Sequence, residues 1–235
     1  CSSDLAAVAK DDPAMLRLIA DLKHQAGFSF VRVLRPPGVA DLPRQASVGI
    51  EILGPEELAA IDPAIARFVR LPIVETKRAR PSVRAQEDRG MIIRAYQPVY
   101  DNAGQLLGVL DGGVLLNNNF AFVDAIRDLV YGPGSLPEGS IGTVTVFLDD
   151  VRISTNVPRV AGRRALGTRV SEEVVQAVLD AGSTWIDRAF VVNDWYISAY
   201  EPIVDVAGER VGMLYAGYLE TPYRTALWQA LGLTV

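Results

Sequence analysis

"AYQPVYDNAGQLLGVLDGG" runs from Ala95 to Gly113, and "AYEPIVDVAGERVGMLYAG" runs from Ala199 to Gly217. The two align without a gap at an offset of 104 residues, pairing Ala95 with Ala199, Tyr96 with Tyr200, Pro98 with Pro202 and Asp101 with Asp205. The match continues through Gly104 and Gly208, Gly108 and Gly212, Leu110 and Leu214, and Gly113 and Gly217. In each copy strand-like runs flank Asp-x-Ala-Gly, where Asp and Gly supply turn chemistry between β-branched, aromatic and leucine residues. A period of about a hundred residues is too long for a solenoid unit and matches a small domain. The chain therefore reads as two related domains in tandem. A candidate helix follows each hairpin, Asn118 to Val130 after the first and Glu220 to Leu231 after the second.

The composition is that of an ordinary soluble protein, with 49% hydrophobic and 22% charged residues among 235. A net charge of -5 with no basic stripe argues against nucleic acid as a partner. The densest basic run, "TKRARPSVR" from Thr76 to Arg84, reads as a solvated loop. The single cysteine, Cys1, excludes an internal disulfide. "CSS" at the start fits the first residues of a lipid-anchored protein after signal cleavage or a cut made in a longer chain, and the cut is the expectation. The most apolar stretch, "LLGVLDGGVLL", is interrupted by Asp111 and two glycines, so no transmembrane segment is expected in the chain as it stands. With one histidine, His24, there is no ligand spacing for zinc, and there is no Gly-x-Ser-x-Gly elbow, Walker loop or dinucleotide fingerprint. No metal, no cofactor and no enzymatic activity are expected.

Local signals give an α+β order. Asp12 and Pro13 open an N-terminal helix that Gly27 stops. A strand in "FSFVRVL" ends at Pro36-Pro37, and "GPEELAAIDPAIARFVRLP" holds one or two short helices broken at Pro63 and Pro72. "GTVTVFLDDVRISTNV" reads as two strands around Asp149-Asp150. In "VSEEVVQAVLDAG" Ser171 caps a helix with Val174, Val175, Val178 and Leu179 on its buried face. A meander of three antiparallel strands closes the chain. The expected fold class is α+β, with two PAS-like modules in tandem, each with a central antiparallel sheet, preceded by an N-terminal helix. The boundaries are an N-terminal helical segment over 1–27, a first module over 28–130, a linker over 131–139, a second module over 140–220 and a C-terminal helix over 221–235.

"GTVTVFLDDVRISTNV", "RRALGTRVSEEVVQAVL", "WYISAYEPIVDVAGERVGMLYAGYLE" and "GVLDGGVLLNNNFAFVDAIRDLVYGPGSLPEG" resemble the tandem Cache sensor regions of bacterial chemoreceptors and sensor histidine kinases, in particular the Cache 3–Cache 2 fusion type. The resemblance covers most of the chain and is dense from Met91 to Tyr223. It implies a periplasmic ligand-binding region of an inner-membrane receptor, with a membrane-distal and a membrane-proximal module, membrane spans outside this chain, a homodimer in the full-length receptor and a C-terminal helix that carries the output. A lipid-anchored solute-binding protein is the alternative. A chemoreceptor is the expectation, with a histidine kinase as a further alternative.

A PAS-like module binds its ligand between the sheet and the elements covering one face, so polar groups among apolar neighbours on a strand face are the candidates. In the first copy Arg94 and Tyr96 share a face, and a loop over Asp101 to Gly104 places Arg94 opposite Asp111. Arg94 suits bidentate recognition of a carboxylate and Asp111 suits a ligand amine; alternatively the two neutralise each other. In the second copy the equivalent positions are Ser198, Tyr200 and Tyr215. There Arg188 lies in apolar company on its strand, and Trp185 and Tyr196 are candidate cavity walls. Arg152 is the weaker choice, expected on the solvent side of its hairpin. The expected ligand is a small molecule carrying a short carboxylate, with an amino acid as the alternative, and the first module is favoured for binding it.

Overall fold

The computed structural model describes residues 27–35, 43–159 and 162–231, with the isolated positions 17, 20, 21 and 25 before them. The predicted N-terminal helix, apart from those four positions, Cys1, His24 and the Pro36-Pro37 pair lie outside the described residues. Eleven strands follow in the order β1 (Phe30–Leu34), β2 (Ser47–Leu53), β3 (Leu71–Pro72), β4 (Gln86–Glu87), β5 (Gly90–Tyr100), β6 (Leu106–Leu115), β7 (Gly142–Leu148), β8 (Val151–Thr155), β9 (Trp185–Val191), β10 (Asp194–Val204) and β11 (Arg210–Leu219). They form a four-stranded antiparallel sheet, β1-β6-β5-β2, a five-stranded one, β8-β7-β11-β10-β9, and the small pair β3-β4. Helices α1 (Pro55–Ile61) and α2 (Pro63–Phe68) precede β3, α3 (Phe120–Val130) links the two large sheets, and α4 (Glu172–Val175) continues as a π-helical turn, Gln176–Asp180. The last helix, α5 (Glu220–Ala230), leaves β11 without a break.

The repeated hairpins fold alike down to their irregularities. Tyr96 stands opposite Asp111 as Tyr200 stands opposite Tyr215, and the bulge between Val99 and Tyr100 recurs between Ile203 and Val204. In both loops the aspartate carboxylate accepts from two backbone N–H groups, those of Ala103 and Gln105 at Asp101 and those of Ala207 and Glu209 at Asp205. Gly104 and Gly208 take φ of +80° and +86°, a conformation that glycine adopts without steric cost. The register corrects one expectation: Tyr100 pairs with Leu106 and not Gln105, and the bulge adds one residue more, so Arg94 faces Gly113 and is a diagonal neighbour of Asp111.

Each large sheet is covered on both faces over its central part. Phe30, Leu53, Ile92 and Leu115 pack beneath Leu58 of α1 and Ile65 and Ala66 of α2. The opposite face of the first sheet, through Met91 and Ile93, meets Val144, Val146, Leu148 and Ile153 of the second, with Val123 of α3 in the same cluster. Gly212 lies at this contact, where a Cβ would run into the Phe147 carbonyl and the Met91 side chain. The far face of the second sheet is covered by Val174, Val175 and Val178 and by Val157, Ala165 and Val170 of the preceding loop. The helix expected after Ser171 exists, but only its first turn is α-helical, and the Ser171 side chain makes no capping hydrogen bond.

The basic run is a largely exposed loop, as expected, and it also straps the first sheet's connection onto the second module's cover. Val74 N donates to Gly167 O, Arg169 N donates to Thr76 Oγ1, and Glu172 N donates to Arg78 O. Arg80 pairs with Asp180 at 2.5 Å and Arg78 lies over the rings of Phe190 and Trp195. At the strap's return, the fully buried Glu87 carboxylate accepts from Arg84 and Arg89, and Arg89 also reaches Asp149 at 2.6 Å. The reason is charge: carboxylates of the second module neutralise the run.

Burial alone would raise the pKa of Glu87, but the guanidiniums of Arg89 and Arg84 outweigh it and hold the carboxyl below its ordinary value. A folded-state pKa below the unfolded one contributes stability that is present above the unfolded value and is lost as pH falls through the folded value. Glu87→Gln is therefore expected to lower stability at pH 7 by about 1–3 kcal/mol. Urea denaturation at pH 7 and pH 3 should show the gap between variant and wild type closing at the acid end; an equal gap at both pH values would contradict the assignment.

Candidate ligand-binding site

The covered far face of the second sheet is where polar and apolar side chains mix. Alternation along β7 sends Val144, Val146 and Leu148 toward the first sheet and leaves Thr143, Thr145 and Phe147 on the far side. From β10 and β11, Tyr196, Ser198, Tyr200 and Tyr215 join them, all at most 5% exposed. Tyr200 stacks on Tyr215 with centroids 4.8 Å apart and meets Trp185 edge-on at 5.7 Å. The Tyr215 hydroxyl lies 3.0 Å from Thr143 Oγ1, and Gly217 leaves the room that this phenol fills, since a Cβ there would meet its oxygen.

Arg152 of β8 enters this aromatic chamber. Ile153 next to it points into the contact between the sheets, so Arg152 points the other way and is only 2% exposed, not solvent-facing as expected. Its guanidinium lies 4.8 Å from the Phe147 ring centre, and Nη1 donates to Thr168 Oγ1 at 2.6 Å. Nε has no hydrogen-bond partner, and neither has the buried hydroxyl of Ser198, which lies beside the Tyr215 phenol without hydrogen-bond geometry. Among the described residues no carboxylate pairs with Arg152, whereas Arg89, Arg94 and Arg169 each hold one or more. Desolvation pulls the Arg152 pKa below its ordinary value, opposed by Tyr200, Tyr215 and Tyr196, yet an arginine stays charged at physiological pH. Burial pushes the phenols up, Tyr196 to about 12 and Tyr200 and Tyr215 also above their ordinary value, so all three remain neutral hydroxyls. The chamber is thus a buried cation with hydroxyl groups around it and no internal anion.

The favoured site in the first module is arranged differently. Arg94 gives Nε and Nη2 to the two oxygens of Asp111, each at 2.8 Å, and Nη1 to Glu51 at 2.8 Å. Arg32 donates to Asp111 as well, at 2.7 Å. Two cations face two anions, so the neutralising alternative is the one the fold adopts. Burial lowers the Arg94 pKa, but Asp111 and Glu51 raise it further, with a net upward shift. Tyr96, 4.8 Å from the guanidinium carbon across its ring, is pushed up to about 12 chiefly by burial.

Of the eight residues singled out in the sequence, the structure groups Trp185, Tyr196, Tyr200 and Tyr215 in one chamber and Arg94, Tyr96 and Asp111 in the other sheet. Arg188 joins neither. It lies on the opposite face of β9 from Trp185, with Nη2 2.8 Å from Glu220 at the start of α5 and its guanidinium over Trp195. Period-two alternation already separates 188 from 185. The residue underrated was Arg152, and its signal was an arginine inside "TVTVFLDDVRIST", whose strands are apolar or hydroxyl-bearing throughout.

Residues 114–230 match the family described as Single cache domain 3. No curated protein sequence matches the chain. Among solved structures the chain is similar to the periplasmic domain of Vibrio cholerae LuxQ, with 15% identity over 92% of this chain and 85% of that one and a TM-score of 0.37. It is also similar to the ligand-binding domain of the Pseudomonas aeruginosa PAO1 amino-acid chemoreceptor PctB in complex with L-Arg, with 13% identity, 97% and 81% coverage and a TM-score of 0.34. A third likeness is to the ligand-binding domain of the Pseudomonas fluorescens chemoreceptor CtaA in complex with L-leucine, with 13% identity, 94% and 85% coverage and a TM-score of 0.30.

Two substitutions separate the two arginine sites. Arg152→Met removes a buried charge that has no counter-ion and is expected to raise stability by roughly 1–2 kcal/mol, about 2–8 °C in Tm. Asp111→Asn strands Arg32 and Arg94 against Glu51 alone and is expected to cost about 3–5 kcal/mol, most of it recovered in Arg94→Met/Asp111→Leu. Thermal and urea melts measure both; a destabilised Arg152→Met would mean that the guanidinium is compensated after all.

Proposed function

Because residues 114–230 form a Cache domain, we propose that this chain is the extracytoplasmic sensor region of a bacterial membrane receptor, and that its second, membrane-proximal module binds a small carboxylate on Arg152. The observation that carries the reading is the buried guanidinium without an anion. Taking a charge out of water costs several kcal/mol unless it is paired. A carboxylate is planar and accepts two parallel N–H bonds from a guanidinium, which answers the open Nε. The free hydroxyl of Ser198 offers a further donor, while the Tyr215 phenol already donates to Thr143, whose own hydroxyl donates to Gly217 O; Trp185 and Phe147 supply apolar walls. This is non-catalytic recognition, with hydroxyls and a cation but no nucleophile and base in contact.

An amino-acid ligand is the less favoured alternative, because Asp111, the acid once considered for its amine, already accepts from Arg32 and Arg94. Output passes through β11, which carries Tyr215 into the chamber and continues directly into α5. A ligand shifts that connection only by binding one arrangement of the chamber better than the other. The cytoplasmic partner of α5 in this reading is that of a chemoreceptor, with a histidine kinase as the alternative.

A thermal-shift and calorimetric screen of short carboxylates against the chain, Arg152→Met and Arg188→Ala tests the proposal. A saturable rise in Tm is expected, worth about 2.7 kcal/mol at a hundredfold excess over Kd. Arg152→Met should abolish it and Arg188→Ala should leave it unchanged. A carboxylate response that survives Arg152→Met would move the site elsewhere.

A further inference from the structure

A second group of arginines without enough anions lies on the outside of the chamber's cover. A cavity of about 380 Å³ is lined by Phe120 at the start of α3 and by Arg159, Arg163, Arg164 and Leu166. The backbone forces these cations together. Pro158 pairs with Arg164 across an antiparallel bridge, and Arg159 N donates to Arg163 O at 2.7 Å, so both legs of the turn carry a guanidinium. Like charges placed opposite one another destabilise such a pairing. Arg164 is neutralised and fixed: it gives Nη1 and Nη2 to the two oxygens of Asp124 at 3.0 and 2.8 Å, donates to Thr155 O at 3.0 Å, and stacks 4.5 Å over Phe120. Asp124 is held below its ordinary pKa by that arginine. Among the described residues neither Arg159 nor Arg163 takes part in an ion pair.

We propose that this cavity is a second ligand site, separate from the Arg152 chamber, and that it takes the phosphate group of a small phosphomonoester. Three guanidiniums less one carboxylate leave a local charge of +2, which a dianion balances and a monocarboxylate does not. A tetrahedral phosphate accepts from three directions at once, whereas a carboxylate is satisfied by one fork. The volume exceeds what a bare phosphate fills and lies within the range of small-molecule sites, and Phe120 and Leu166 provide apolar surface for the organic remainder.

The test is calorimetric titration of phenyl phosphate and of benzoate, its monoanionic counterpart with the same ring, into Arg152→Met protein at constant ionic strength set with NaCl. That background removes the other proposed anion site, so failure of the carboxylate reading would leave this result unaffected. Saturable phenyl phosphate binding, about tenfold or more tighter than benzoate and weakened about tenfold or more in Arg159→Ala/Arg163→Ala, is expected. Arg163 is exposed and Arg159 half-buried, and neither guanidinium is in an ion pair among the described residues, so the double variant should keep its circular dichroism and melting temperature. Absence of saturable binding, equal affinity for the two probes, or affinity unchanged in the double variant would each overturn the proposal.

Discussion

The β7–β8 edge of the second sheet is buried on both faces, and most of what is distinctive here follows from that constraint. Every residue of β7 and β8 is buried, because the first sheet covers one side and the α4 layer the other. A strand in that position has no solvent face on which to place a polar side chain. Its threonines resolve the conflict locally: Thr145 meets Thr155 at 2.6 Å and Thr143 donates to Gly217 O at 2.9 Å. Arg152 cannot, since its fork needs several acceptors and Thr168 supplies one. The sandwich therefore turns an ordinary alternation into an unsettled charge.

The two modules treat the same problem in opposite ways. The first gathers charges from three further strands around Arg94 of β5, the anions Asp111 from β6 and Glu51 from β2 and the second cation Arg32 from β1, and ends neutral. The second replaces the equivalent of Asp111 by Tyr215 and of Arg94 by Ser198, then brings an arginine in from β8. Pairing within the chain favours stability, and leaving the anion out favours a ligand. A shared hairpin scaffold thus carries a neutralised charge cluster in one copy and an unpaired arginine, the proposed ligand anchor, in the other.

The repeat was legible because turn chemistry is local: Asp-x-Ala-Gly dictates its loop whatever surrounds it, and both loops form the same hydrogen bonds. The bulge beside each loop was not, because an extra residue in a ladder leaves no mark in composition; with Tyr100 pairing to Leu106 instead of Gln105 it puts Arg94 two residues from the expected register. Arg152 was misplaced for a deeper reason. Alternation divides a strand into two sides but does not say what covers them, and a hairpin sandwiched between two layers has no outside. The strap from Thr76 to Arg84 escaped for a related one: its arginines look solvated until the distant carboxylates that hold them, Asp149 and Asp180, come into range.

Those long-range contacts join the chamber to both ends of the molecule. The loop that closes over Arg152 exchanges backbone bonds with it, Arg152 N donating to Thr168 O and Gly167 N donating to Arg152 O. The residues flanking Thr168 are also the ones the strap holds, Gly167 O accepting from Val74 N and Arg169 donating from its backbone to Thr76 and from its side chain to Arg80 O. On the sheet side, the strand bearing Tyr215 runs on into α5, whose first residue Glu220 is gripped by Arg188. An anion settling on Arg152 would therefore pull on the cover and the β11–α5 junction from one point. A packed interior transmits such a pull instead of absorbing it, so in the proposed reading the unpaired arginine would be a lever as well as an anchor.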